Sequence, residues 1–269
     1  MQQSVDYIVV GGGSSGCALA GRLSESPDIS VLLLEAGGKG DNWLVNTPAA
    51  VVLQVPKKIN NWAFETVPQP GLGGRKGYQP RGKVLGGSSS INAMAYIRGH
   101  RMDYDEWASL GNSGWSYDEV LPYFKRAEDN RRLKDVFHGQ GGPLVVSDLQ
   151  TDNPFQQHYL DAAKQVGYPI STDFNGAEQE GVGLYQVTQE NGERWSAYRG
   201  YIKPHLDTRR NLHVETDALT QRILFEGKRA VGVEYRQRGR VMTVRANKEV
   251  ILSAGAFQSP QLLMLSGIG

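Results

Sequence analysis

The stretch VDYIVVGGGSSGCALAGRL, followed shortly by ISVLLLE, leaves the start of this chain little freedom of fold. Val5 to Val10 reads as an apolar strand, Gly11 to Gly16 as a turn, and Cys17 to Leu23 as the body of a helix. Pro27 and Asp28 break that helix, and Ile29 to Leu34 reads as a second apolar strand ending at Glu35. Strand, turn, helix and strand within about 30 residues open a doubly wound parallel sheet. Neither strand alternates apolar with polar residues, as is usual where helices cover both faces. The turn carries Gly11-x-Gly13-x-x-Gly16. The first glycine permits the tight turn, the second lets backbone approach a pyrophosphate, and the third lets helix pack closely on sheet. Unpaired N–H groups at the helix start then face the phosphates. Glu35, 22 residues beyond Gly13, is placed to accept hydrogen bonds from a ribose diol, and its charge disfavours a 2′-phosphate. These features fit FAD and NAD equally.

Beyond Glu35 the chain has little periodicity until residue 80, and its prolines and glycines read as a long excursion over a surface or a ligand. GKVLGGSSSINAMAYIRG, residues 82–99, then offers a second flexible run, Gly86 to Ser90, whose backbone donors and hydroxyls suit a phosphate or an isoalloxazine edge. Arg81 before it, Asn92 within it and the apolar run from Ile91 to Ile97 set it apart from a solvated loop. Ser116 to Glu119 forms a capping box for a helix, and Asn153-Pro154 caps another that runs to Val166 and stops at Gly167. Short strands follow at 212–214, 219–225, 231–235 and 241–246, read as a small antiparallel layer. Glu249 to Ser253 reads as a separate apolar strand returning to the first sheet, with Ser259 capping and Pro260 opening a final helix. The nucleotide domain is therefore discontinuous, and residues of roughly 150 to 210 read as an insertion.

Composition narrows the function. A net charge of +1 over 269 residues gives no basic field for nucleic acid. The single cysteine, Cys17, excludes a disulfide framework and reads as a small buried hydrophobe. His100, His138, His158, His205 and His213 lack ligand spacing, which speaks against a metal site, and no Gly-x-Ser-x-Gly elbow marks a hydrolase. Asp103, Asp105 and Glu106 read as decoration of a helix start, and Arg131-Arg132 as a solvated face. The N-terminus shows no secretory signal, and no apolar run reaches the roughly 20 residues of a membrane span.

Three segments together resemble the glucose-methanol-choline (GMC) oxidoreductases, FAD-dependent enzymes acting on alcohols. They are the fingerprint at 11–16 with Glu35, GKVLGGSSSINAMAYIRG at 82–99, and GAFQSPQLLMLSGIG at 255–269. The resemblance covers essentially the whole chain and implies an α/β fold: a Rossmann-like parallel sheet with added antiparallel strands and part of a substrate-binding domain. On it, 1–150 with 211–269 form the FAD-binding domain, 151–210 belong to the substrate-binding domain, and the chain corresponds to the N-terminal half of a full-length member.

The resemblance also implies residue roles. Gly11, Gly13, Ser14, Ser15 and Gly16 would lie at the pyrophosphate and Glu35 at the adenosine ribose. Arg81, Val84, Gly86, Gly87, Ser89, Asn92, Ala93, Met94 and Ala95 would line the flavin and pyrophosphate side. Thr220 matches a position, commonly valine, that touches the adenine through its main chain, and Ala254 and Ala256 would approach the cofactor from the third strand. Members with covalent flavin carry a histidine where this chain has Ile91, so the FAD is expected to be non-covalent. The family's catalytic histidine lies near the C-terminus of full-length members, beyond Gly269, so no catalytic residue is assigned here and the chain alone is expected to be inactive. The implied reaction is oxidation of a primary alcohol to an aldehyde, with choline as the alternative substrate and a non-catalytic FAD-binding role as the alternative of another class. A quinone or other acceptor would take the electrons, in the cytoplasm or peripherally on the inner membrane.

Overall fold

The computed structural model describes residues 4–269, so the first three residues of the N-terminal stretch read for a leader lie outside it. The chain forms two compact units, Met1–Ala93 with Ser196–Gly269, and Met94–Trp195.

The first unit is built on a six-stranded sheet. Its elements are β1 (Ser4–Val10), α1 (Ser14–Leu23), β2 (Val31–Leu34), α2 (Ala197–Tyr201), β3 (Leu212–Glu215), β4 (Ala218–Glu226), β5 (Arg229–Gln237), β6 (Arg240–Leu252) and α3 (Gly255–Leu265). The spatial order is β3-β2-β1-β6-β5-β4. The first four strands run parallel and the last three are joined antiparallel. The missing alternation in β1 and β2 has its cause here. Ile8, Val10, Leu32 and Leu34 pack on one side with Val233, Val244 and Leu262. Val9, Val31 and Leu33 pack on the other with Cys17, Ala20, Tyr198 and Ile202. Each fully buried valine, leucine or isoleucine among them contributes about 1.5–3 kcal/mol by leaving water. α1 approaches α2 closely because Gly21 has no side chain; a Cβ there would stand 2.6 Å from the Tyr201 carbonyl oxygen.

Two readings of the C-terminal strands are corrected. Leu212–Glu215 is no part of an antiparallel layer; it is the parallel edge strand beside β2. Asn211 holds it there, donating from Nδ2 to the carbonyls of Ser24, Ser26 and Ile29. The segments read as two strands, 241–246 and 249–253, are one 13-residue strand. Its first half pairs antiparallel with β5 and its second half parallel with β1. The polar pair Asn247-Lys248 does not end it, because pairing with β1 continues there across an irregularity between Val5 and Tyr7. α3 likewise begins at Gly255 with Pro260 inside it, rather than at a Ser259 cap. Gly255 enters the helix at φ +87°, a conformation that favours glycine.

The second unit carries a four-stranded sheet ordered 95–96, 186–187, 144–148 and 128–130. Helices Arg101–Ser109, Tyr117–Ala127 and Pro154–Gln165 accompany it, the last two capped by Ser116 and Asn153 as the sequence indicates. Residues 94–150 group with 151–195, while 196–210 return to the first unit. The pairing of 95–96 with 186–187 draws one boundary and the seating of α2 on α1 the other. Neither leaves a local mark on the sequence. Arg131 and Arg132 are held in ion pairs rather than simply solvated: Arg131 with Asp129 and Glu190, Arg132 with Asp148 at 2.7 Å.

Candidate functional site

β1, β2, β3 and β6 run in one direction and so end at one edge of the sheet, at Val10, Leu34, Glu215 and Leu252. Ligands of open α/β sheets sit outside such carboxyl ends. A cleft of about 960 Å³ opens there, lined wholly by residues of the first unit. It gathers Gly11, Gly13, Ser14, Ser15, Glu35, Arg81, Gly87, Thr220, Ala254 and Ala256.

The fingerprint glycines divide into two kinds. Gly11 sits at φ +99°, and a Cβ on it would stand 2.6 Å from the Ser253 carbonyl oxygen. A Cβ on Gly16 would stand 1.9 Å from the Gly11 carbonyl oxygen, so these two fix the turn against its own helix and against the end of β6. Gly13 is different: its nearest neighbours to a built Cβ are 4.0 Å away. It also caps α1 with an ordinary φ of −79° and no side-chain bond, and no acidic residue occupies the first helical turn. The space before Gly13 and the helix start is thus left open to an anion.

Glu35 is 5% exposed and bound at both carboxylate oxygens. The Gly12 N–H donates to Oε2 at 2.9 Å and the Gly37 N–H to Oε1 at 2.8 Å. Burial pushes its pKa up to about 7, against the lowering effect of those two donors. The group is fixed in place and sits near its own titration point at neutral pH.

Segment 82–90 is stitched to the fingerprint turn. The Gly86 N–H donates to the Gly12 carbonyl at 2.7 Å, and a Cβ on Gly87 (φ +54°) would lie 2.6 Å from the Gly13 Cα. Two glycine-rich runs far apart in sequence therefore meet backbone to backbone. Val84 and Gly86 form the buried layer beneath, outside the cleft lining. The serine hydroxyls serve the loop itself. Ser89 Oγ donates to the Gly86 carbonyl and accepts from the Ala197 N–H, and Ser90 Oγ donates to the Leu85 carbonyl. Gly16, Ser89, Asn92 and Ala93 do not line the cleft, and Met94 and Ala95 belong to the second unit.

Sequence reasoning missed the aromatic wall. Trp62 and Phe64 stack at 5.6 Å and 8°, Phe64 meets Phe257 edge-on at 6.2 Å, and the Arg81 guanidinium lies 4.4 Å from the Phe257 ring centre. Lys83 Nζ covers Trp62 at 4.5 Å. Trp62, Phe64, Arg81 and Phe257 all line the cleft. The only signal available was the aromatic pair at 62 and 64 inside an aperiodic stretch.

Other titratable groups lie elsewhere. Cys17 is fully buried, donates to the Gly12 carbonyl and has its thiol pushed up to about 12 by burial. His138, in the second unit, has a carboxylate at each ring nitrogen, Glu128 at 3.1 Å and Asp173 at 3.0 Å. Burial alone would depress its pKa, but these two bonds outweigh it and hold it at about 9. Among the described residues no histidine lines the cleft.

A doubly wound sheet with a fingerprint turn, an anchored carboxylate just after its second strand and a second glycine-rich wall is the architecture of a dinucleotide-binding site. The GMC oxidoreductase family profile matches residues 5–269, and the chain belongs to that family of oxidoreductases. It is 49% identical to the mitochondrial choline dehydrogenase of Homo sapiens, over 98% of this chain and 45% of that protein. It is 48% identical to an alcohol dehydrogenase [acceptor] of Pseudomonas putida, over 98% of this chain and 48% of the other. Among solved structures, pyridoxine 4-oxidase from Mesorbium loti superposes with a TM-score of 0.93 at 35% identity, covering 99% of this chain and 52% of that one. An FAD-dependent oxidoreductase from Chaetomium thermophilum gives 0.91 at 34%, covering 99% and 48%. The chain spans about half the length of the curated relatives it matches.

Proposed function

We propose that this chain is the cofactor-holding part of an FAD-dependent dehydrogenase that oxidises a primary alcohol to the aldehyde. The observation that carries the reading is the convergence of the fingerprint turn, Glu35, the 81–88 segment and the start of α3 on one cleft. The residues present fit FAD. The open space before Gly13 suits a pyrophosphate, and the two helix starts, α1 and α3, line the same cleft and offer unpaired N–H groups to it.

In this reading Gly11, Gly13, Ser14 and Ser15 hold the pyrophosphate and Glu35 accepts from the ribose hydroxyls. Thr220 lies at the base end, and Arg81, Gly87, Ala254 and Ala256 hold the remainder, with Val84, Gly86 and Ser89 as support beneath. Asn92, Ala93, Met94 and Ala95 keep the flavin-side role that family resemblance gives them. FAD, when bound, supplies the acceptor for the hydride leaving the alcohol carbon. Ile91 is buried and has no nucleophilic atom, which favours non-covalent attachment. In this reading the hydroxyl proton goes to the histidine that the family resemblance implies, which is not one of the described residues lining the cleft, and the chain by itself turns over no substrate. Choline is the second reading, favoured by the relatives named choline dehydrogenase.

Electrons then pass to a quinone or another acceptor. In this reading the enzyme works in the cytoplasm or peripherally on the inner membrane. Among the described residues no helix is long and apolar enough to cross a membrane.

Purified protein titrated with FAD and assayed with an artificial electron acceptor, against a panel of primary alcohols and choline, tests the proposal. Tight FAD binding without turnover by this chain is expected. Turnover by the chain alone removes the external base, and failure to bind FAD removes the reading altogether.

A further inference from the structure

Charge is unevenly spread along this chain. Residues 218–248, which form β4, β5 and most of β6, carry eight lysines and arginines against two glutamates, a net charge of +6 in a chain whose total is +1. Val233, Tyr235, Val244 and Ala246 turn inward to the core. Side chains alternate along a strand, so Glu234, Arg236, Val241, Thr243 and Arg245 turn outward. Arg222 pairs with Glu234 at 2.9 Å and Arg245 with Glu226 at 2.6 Å, so both glutamates are already neutralised. Arg236, Arg238 and Arg240 gather at the turn between β5 and β6, are exposed, and have no carboxylate partner among the described residues. Val241, opposite Arg236 on β6, is 55% exposed. Leu219, opposite Arg236 on β4, is 41% exposed and also lines the cleft. The outer face of these strands therefore combines unpaired cations with exposed apolar side chains.

We infer that the outer face of β4, β5 and β6, centred on the turn at Arg238, docks on an anionic lipid surface. The inference goes beyond the dinucleotide reading and does not depend on what fills the cleft. Arginines spread over adjacent strands present a plane of charge, which matches a plane of headgroups. Each lysine or arginine brought to an anionic bilayer strengthens binding about fivefold. An apolar side chain set among such cations enters the boundary between headgroups and acyl chains and adds its own burial. An acidic polypeptide would match the charge but would gain nothing from Val241. The two ingredients together favour the bilayer, and they give a specific face to the peripheral attachment considered above.

Co-sedimentation with lipid vesicles tests this. Phosphatidylcholine vesicles containing about one-third phosphatidylglycerol are compared with phosphatidylcholine alone, and soluble polyglutamate serves as an anion without lipid. Wild type should partition at least about tenfold better onto the anionic vesicles, and added salt should release it. Arg236→Gln, Arg238→Gln and Arg240→Gln combined should weaken partition about 100-fold, at roughly fivefold for each charge. Lys57→Gln with Lys58→Gln removes two exposed cations elsewhere in the first unit and should stay within about twofold of wild type. Val241→Ser should weaken vesicle binding about threefold and leave polyglutamate binding unchanged. Equal partition onto both kinds of vesicle overturns the inference, as does a triple variant within about twofold of wild type. A Val241→Ser protein that binds vesicles like wild type overturns it too, leaving a face for acidic polypeptides. Melting temperatures establish that each variant folds. Should the triple variant not fold, Arg236→Glu alone decides on the same terms.

Discussion

Glu35 carries two duties at one carboxylate, and its surroundings set them against each other. Burial favours the neutral acid and holds its pKa near 7, while the Gly12 and Gly37 N–H groups favour the anion. An acid whose folded pKa is raised costs the free protein stability as pH climbs from its ordinary value of 4.5 to about 7. In the proposed reading ribose hydroxyls donate to the carboxylate and reverse that preference, because they favour the charged form. Dinucleotide affinity should therefore rise with pH up to about 7 and level off above it. Binding at pH 6 is expected to be roughly fivefold to tenfold weaker than at pH 8. Glu35→Gln should lower affinity throughout and flatten the profile. Calorimetric titration of FAD across this range measures both effects, and a flat wild-type profile would remove Glu35 from the ligand.

The first strand, turn and helix show what a sequence can declare about an element. Their signals are local: an apolar run, glycines at set spacing, a second apolar run. The glycines also permit a sharp separation of roles. Gly13→Ala meets nothing within 4 Å of its new methyl except at that limit, and its φ suits alanine. It should fold with an unchanged melting temperature yet bind FAD at least 100-fold more weakly, since the methyl fills the space left for phosphate. Gly16→Ala drives its methyl to 1.9 Å from the Gly11 carbonyl and should lose more than about 4 kcal/mol of stability. Thermal melts beside binding curves distinguish the two. Other elements gave no such local signal. β6 looked like two strands because the pairing that carries it past Asn247-Lys248 is with β1, at the other end of the chain. α3 starts at Gly255 because of a positive φ, which its caps do not announce. The fingerprint half of the site was legible for the same local reason. Phe257 was not, because its significance depends on which distant segments face it.

Across the whole molecule the cleft draws on one of the two compact units, although that unit is assembled from both ends of the chain. FAD should accordingly slow amide hydrogen exchange in 10–16, 34–37, 81–88, 218–221 and 252–258, and leave 98–194 at its free rate. Mass-spectrometric exchange with and without ligand reads this directly, and protection centred on 98–194 would place the ligand elsewhere. The order of strands has a consequence for biosynthesis. β1 has two neighbours in the sheet: β2, which follows it almost at once, and β6, which arrives about 240 residues later. During translation the nascent β1–α1–β2 segment must wait, with one flank of β1 unpaired, until β6 has left the ribosome. An unpaired strand flank is a template for wrong partners. This protein should therefore be most vulnerable to aggregation while it is being made, and slower elongation before residue 252 should lower its soluble yield.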